Sequence, residues 1–117
     1  MLINLLKTLL IKKPSKGINK EFFEYHCKWA DTTFGTSRQH GVLEHIKKEI
    51  DEIIKSGYSI EEWADIFLLA FHGVHCSGYS YEELDNALRE KHAMCRIRKW
   101  NKPDKDGIIE HVREETL

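Results

Sequence analysis

A chain of 117 residues fits one domain with a modest core. Its 18 basic and 19 acidic residues leave a net charge of −1, which excludes a basic face for bulk nucleic-acid binding, so no nucleic-acid partner is expected. Three cysteines, Cys27, Cys76 and Cys95, are an odd number without a C-x-x-C pair and read as reduced thiols of a cytoplasmic protein.

The chain starts with an apolar run, Leu2, Ile3, Leu5, Leu6, Leu9, Leu10 and Ile11, interrupted by Lys7. The run is too short to span a bilayer, and it lacks the charge order and small-residue cleavage site of a signal peptide. It reads as a short amphipathic helix that packs on the domain or on a partner subunit, without stable membrane insertion. Lys12-Lys13-Pro14-Ser15-Lys16-Gly17 reads as a linker, so residues 1–17 form an extension and residues 18–117 the domain. Between Pro14 and Pro103 no sustained alternation of polar and apolar residues occurs, which predicts an all-α fold.

Four main helices are expected. The first covers residues 20–30, with Phe22, Phe23, His26 and Trp29 near one face, and a polar loop rich in turn residues follows over 31–41. The second runs over 42–55 with an apolar stripe of Leu43, Ile46, Ile50, Ile53 and Ile54. The third, 60–76, is apolar nearly all round and belongs in the middle of a bundle. The fourth covers 81–100. Ser59-x-x-Glu62 and Ser80-x-x-Glu83 are capping-box patterns that open the last two.

The acids carry the functional signal. Glu49-x-x-Glu52 precedes the short link 56–59, and Glu62-x-x-Asp65 follows it. So short a link makes the two helices antiparallel neighbours, and at about 5 Å per turn the acids stack in two rungs at matching heights. Asp65 also sits inside the apolar stretch that continues Ile66-Phe67-Leu68-Leu69, where an ionised carboxylate costs several kcal/mol to desolvate unless a cation meets it. Carboxylates converging in this way suit hard divalent cations, of which magnesium is the usual example. The plain alternatives are a capping role for Glu62 and surface pairs of Glu49 and Glu52 with Lys48 or Lys55.

On the fourth helix, Leu84, Leu88, Lys91, Cys95 and Arg98 form one stripe, with cations at positions where core residues are expected. They serve either as salt-bridge partners or as phosphate contacts; two cations do not neutralise four carboxylates, which favours the second. His72-x-x-His75-Cys76 has no matching second ligand pair and reads as structural or surface histidines. Asp104-x-Asp106-Gly107 lacks the closing glutamate of a calcium loop and reads as a turn.

The quartet Glu49, Glu52, Glu62 and Asp65 resembles the E-x-x-E…E-x-x-D signature of the MazG-like all-α nucleoside triphosphate pyrophosphohydrolases. Trp29 to Arg38, Glu62-Trp63-Ala64-Asp65, Glu90-Lys91 and Arg96 to Trp100 resemble one branch of it, the phage and bacterial dATP/dGTP pyrophosphohydrolases of MazZ type. The resemblance implies a four-helix MazG-like bundle that assembles as a dimer or tetramer. It also implies hydrolysis of a purine deoxynucleoside triphosphate, dGTP before dATP, to monophosphate and pyrophosphate, in the host cytoplasm if phage-encoded. Glu49, Glu52, Glu62 and Asp65 would then hold two or more Mg²⁺, with Mn²⁺ able to substitute, and Glu49 or Glu52 would activate the water. Trp29, Phe34 and Gly35 would lie near the base, and Arg38, Lys48, Lys91 and Arg98 would bind the rest of the substrate. Cys95 departs from the family, whose members often carry asparagine there. Other readings remain: a house-cleaning enzyme for pyrimidine or non-canonical nucleotides, or a non-catalytic helical module that binds a partner protein.

Overall fold

The computed structural model describes residues 17–113; the expected N-terminal helix and most of its linker lie outside them. Four helices follow in order: α1 (Lys20–Phe34), α2 (Gln39–Lys55), α3 (Ile60–Cys76) and α4 (Tyr81–Ile97). The fold is all-α as expected. The chain divides into two compact units, Met1–Leu84 and Asp85–Leu117.

In the first unit α3 packs against both α1 and α2. Its core joins Phe23 and Cys27 of α1 to Phe71 of α3, with Phe22, Leu68, Val74, Tyr81 and Leu84 packed around them. Phe23 meets Phe71 edge-on at 5.7 Å, a favoured arrangement of aromatic quadrupoles. Polar groups along this seam are satisfied: His26 Nε2 donates to the Leu68 carbonyl at 3.0 Å and the Cys27 thiol to that of Phe71 at 3.6 Å.

Helix α1 runs one turn past the expected end. Asn19 caps its start by accepting from the Phe22 amide at 2.9 Å, and Gly35, at φ +97°, stops it. The turn-favouring residues between are absorbed: Thr32 donates back to the Lys28 carbonyl at 3.1 Å, and Asp31 is held by two histidines of α3. Helix α2 likewise starts earlier than expected, at Gln39. Helix α4 stops at Ile97 rather than Trp100, whose indole N–H folds back onto the Cys95 carbonyl at 2.9 Å.

The inward face of α2 differs from the expected stripe. Val42 and Ile53 are buried and Ile46 and Glu49 half-buried, whereas Leu43, Ile50 and Ile54 are exposed. At about 100° per residue, positions 42, 46, 49 and 53 fall within a narrow arc, so the inward stripe passes through Glu49 instead of Ile50. Close approach of α2 to α3 selects this face: a Cβ on Gly73 would stand only 3.1 Å from Val42 Cγ1. Helix α3 is central to the first unit, yet Trp63 and Phe67 remain exposed on its outer side.

In the second unit the Leu88 and Lys91 side chains are exposed and Cys95 and Arg98 half-buried, so the cationic stripe on α4 is not a core stripe. Residues beyond α4 double back, with an antiparallel bridge between Trp100 and His111. Asp104 makes the turn, its Oδ1 accepting from the amides of Asp106 and Ile108 at 2.9 Å each.

The two capping-box patterns part company. Ser80 and Glu83 exchange bonds, 3.2 Å from the Ser80 amide to Glu83 Oε1 and 3.1 Å from the Glu83 amide to Ser80 Oγ. Ser59 makes no side-chain cap bond, and its amide donates to Ser56 Oγ at 3.2 Å instead. Glu62 is thereby released from capping. Ser80→Ala should cost about 1 kcal/mol of stability, and Ser59→Ala less than about 0.5 kcal/mol, as read from urea unfolding midpoints of the two variants.

Candidate active site

The link 56–59 sets the site. The amides of Ser56, Gly57 and Tyr58 close the end of α2 onto the carbonyls of Glu52, Ile54 and Ile53. Gly57 at φ +72° and Tyr58 at φ +67° then turn the chain back. Glu49 therefore faces the first turns of α3. Glu49, Glu62 and Asp65 each offer a carboxylate oxygen, and these oxygens all lie within 4.8 Å of one another. Glu52 stands outside that trio but close enough for its charge to act on Glu62.

The trio is electrostatically unbalanced. Burial, then the charges of Asp65, Glu49 and Glu52 and a hydrogen bond with Asp65, hold the Glu62 carboxyl above its ordinary value. The expected environment of Asp65 is corrected: it is exposed, because its face of α3 opens on the cavity beside the trio instead of into the core. The enclosed member is Glu49, whose side chain is 13% exposed and accepts from His45 Nε2 at 3.0 Å. Among the described residues no ion pair joins Glu49 or Glu52 to Lys48 or Lys55; the lysine pair on α2 is Lys47–Glu44 at 3.0 Å. Three oxygen donors at this spacing, with excess negative charge and no neighbouring lysine or arginine paired to them, fit a hard divalent cation.

Beside the trio opens a cavity of about 330 Å³, within the range of small-ligand sites. Glu49 and Asp65 form one side of it, Trp29 and Phe34 another, and Leu68 and Leu69 contribute apolar lining. Trp29 and Phe34 meet edge-on at 5.3 Å and both are about half exposed, which leaves aromatic surface for a planar ring. Burial lowers the His26 pKa against its bond to the Leu68 carbonyl, so the ring is neutral at pH 7 and keeps Nδ1 as an acceptor. Thus four expected site residues, Trp29, Phe34, Glu49 and Asp65, share one cavity, and Glu62 joins them through the carboxylate trio.

Three other expected residues of the first unit do not line the cavity. Gly35 ends α1, Lys48 is exposed on α2, and the Arg38 guanidinium lies over Gly41, with Nε buried and unpartnered. Lys91 and Arg98 belong to the second unit, where Arg98 lines a depression with Met94, Lys99 and Arg113. Sequence reasoning missed His45, although its i, i+4 spacing to Glu49 is a legible signal. It also missed the partner of the α3 histidines: Asp31 accepts from His72 Nε2 at 3.0 Å and from His75 Nε2 at 2.7 Å. Burial works to raise the Asp31 carboxyl, but these bonds outweigh it and hold it below its ordinary value.

The raised Glu62 carboxyl has a stability consequence of definite sign. Above that raised value Glu62 is ionised in both states and disfavours the fold; below the ordinary 4.5 it is protonated in both and does not. Glu62→Gln should therefore raise the melting temperature of the metal-free protein at neutral pH. The gain should vanish as pH falls through the window down to 4.5, in thermal melts with chelator present.

Comparison with known proteins follows the same direction. Residues 22–117 match the family model described as dATP/dGTP pyrophosphohydrolase. No curated protein sequence matches the chain significantly. Among solved structures the fold is similar to that of a cyanophage S-2L MazG-like pyrophosphohydrolase bound to dGDP and three catalytic Mn²⁺ ions per active site. The TM-score is 0.69 at 24% identity, over 84% of this chain and 100% of that one. With an all-α fold, a converging carboxylate trio and a family match across most of its length, the chain belongs to the dATP/dGTP pyrophosphohydrolase family and is a nucleotide pyrophosphohydrolase.

Proposed function

We propose that the protein hydrolyses a purine deoxynucleoside triphosphate, dGTP in preference to dATP, to the monophosphate and pyrophosphate, with Mg²⁺ as its metal. The convergence of Glu49, Glu62 and Asp65 beside an aromatic-lined cavity carries this reading. The family match supports a purine substrate, and the dGDP held by the cyanophage neighbour supports guanine.

The residues divide the work. Trp29 stacks on the base with Phe34, set edge-on to the indole, bordering it, and the cavity orients the sugar so that the triphosphate points towards the acids. Glu49, Glu62 and Asp65 would hold the cations. Bound there, Mg²⁺ would supply neutralisation of the phosphate charge and a lowered pKa for the attacking water. Water attacks the α-phosphorus, the bond from that phosphorus to the bridging oxygen breaks, and pyrophosphate leaves. Glu52, outside the tight trio, accepts the water proton. His45 holds Glu49 in the orientation that faces α3. Lys48, exposed on α2 next to Glu49, meets a phosphate. The exposed apolar residues Leu43, Ile50 and Ile54 of α2 and Trp63 and Phe67 of α3 are covered in a homo-oligomer. The activity controls a nucleotide pool.

A panel of canonical and modified deoxynucleoside triphosphates with Mg²⁺, read by pyrophosphate release, tests the substrate. dGTP should lead it, and a pyrimidine at the head of the panel would favour a house-cleaning role. Glu49→Gln or Asp65→Asn should lower kcat on the order of 10²-fold or more with helical content kept. Trp29→Ala should act mainly on KM, since base stacking on an aromatic is worth about 1–3 kcal/mol. Light scattering should return a dimer or tetramer, and a monomer at micromolar concentration would remove the oligomer from the proposal.

A further inference from the structure

A second group of metal-ligand types lies on the same face of α3 as the acids. Glu62, Asp65, Leu69, His72 and Cys76 recur at steps of three and four, so His72 sits two turns, about 10 Å, beyond Asp65. There the donors change character. Asp31 of α1, His72 and Cys76 each offer an atom, and these atoms lie within 4.8 Å of one another. Along the sequence the His72–Cys76 stretch has no second ligand pair, and a single further donor reaches it through the fold. That donor is Asp31, 41 residues away.

The contacts converge on one nitrogen. His72 Nε2 is 3.0 Å from Asp31 Oδ1 and 3.4 Å from Cys76 Sγ. An imidazole nitrogen has a single in-plane direction, holding either one hydrogen or one lone pair. One hydrogen cannot lie along the line to both partners. A cation on that direction would meet all three. With bonds of about 2.0 Å to nitrogen or oxygen and 2.3 Å to sulfur, a tetrahedral zinc centre places adjacent ligands roughly 3.3–3.5 Å apart. The observed separations of 3.0 and 3.4 Å need only small adjustment to reach that.

We propose that Asp31, His72 and Cys76 form a zinc site that clasps α1 to α3, distinct from the carboxylate trio. His75, whose Nε2 is 2.7 Å from the other oxygen of Asp31, is the supporting partner that orients the carboxylate. Nitrogen, sulfur and one carboxylate select a borderline-soft ion, whereas the all-oxygen trio selects a hard one. The site is reachable from solvent: the Asp31 and His75 side chains are 26% and 38% exposed, while His72 is buried behind them at 4%. With three protein donors, a fourth position is open to water. Cys27 lies nearby but takes no part. Burial pushes its thiol up to about 12, and it donates to the Phe71 carbonyl.

The test does not depend on hydrolysis. Full-length protein, stripped by chelator, is titrated with Co²⁺ in excess Mg²⁺, which occupies the carboxylate trio. One equivalent should bind with a sulfur-to-cobalt charge-transfer band and be displaced by Zn²⁺. Cys76→Ser should remove the band, and His75→Gln should weaken binding about 10- to 100-fold. Glu62→Gln should leave the band intact. Absence of a sulfur-to-cobalt band in the wild type, or its survival in Cys76→Ser, overturns the proposal. Because the readout is spectral, inactivity towards nucleotides and failure to bind zinc remain separate results.

Discussion

The link 56–59 is the constraint on which the candidate site depends. Helices joined so closely cannot slide freely past each other, so the heights of Glu49 and Glu52 relative to Glu62 and Asp65 are fixed by chain connectivity. Rotation is fixed at the other end of the pair, where Val42 presses against the side-chain-free Gly73. Together these contacts bring Glu49 inward against its neighbours, at the expense of like-charge repulsion that shows in the raised Glu62 carboxyl. The core around Phe23 and Phe71 then braces α3 against α1 and supplies a rigid wall for the cavity.

Much of this was legible in the residues. Periodicity and the missing strand pattern gave four helices, and α3 matches its expected bounds. The acid pairs could be read as a cluster because their spacing and the short link are both local properties. What failed was long-range or depended on an outer surface. The inward face of α2 could not be chosen from its isoleucines, because Ile46, Ile50, Ile53 and Ile54 cover a wide arc and only the Val42–Gly73 contact decides among them. The extra turn of α1 depends on Asp31 meeting His72 and His75 of α3, a pairing that no local propensity encodes. Burial of Asp65 was inferred from its apolar sequence neighbours, yet its own face of α3 opens on the cavity and leaves it exposed.

Helix α3 separates two kinds of donor along one face. Its beginning presents carboxylates alone; its end presents imidazole and thiol, with Leu69 between. The separation is chemically useful because oxygen ligands at one end and nitrogen with sulfur at the other discriminate between ions by hardness rather than by size alone. The aromatic pair Trp29 and Phe34, together with Asp31, comes from the last two turns of α1. Ending that helix early would remove a wall of the cavity and the clasp to α3 in one stroke.

The unshared hydroxyl of Ser59 has a thermodynamic corollary. A reciprocal cap contributes about 1 kcal/mol where it forms, and the opening turn of α3 forgoes it. That turn carries Glu62, so its order is coupled to whatever the carboxylate grips. By mass action, ligand affinity and local helix order there become two readings of one equilibrium. Grafting a stronger cap onto this turn would stiffen the helix only by drawing Glu62 away from its neighbours.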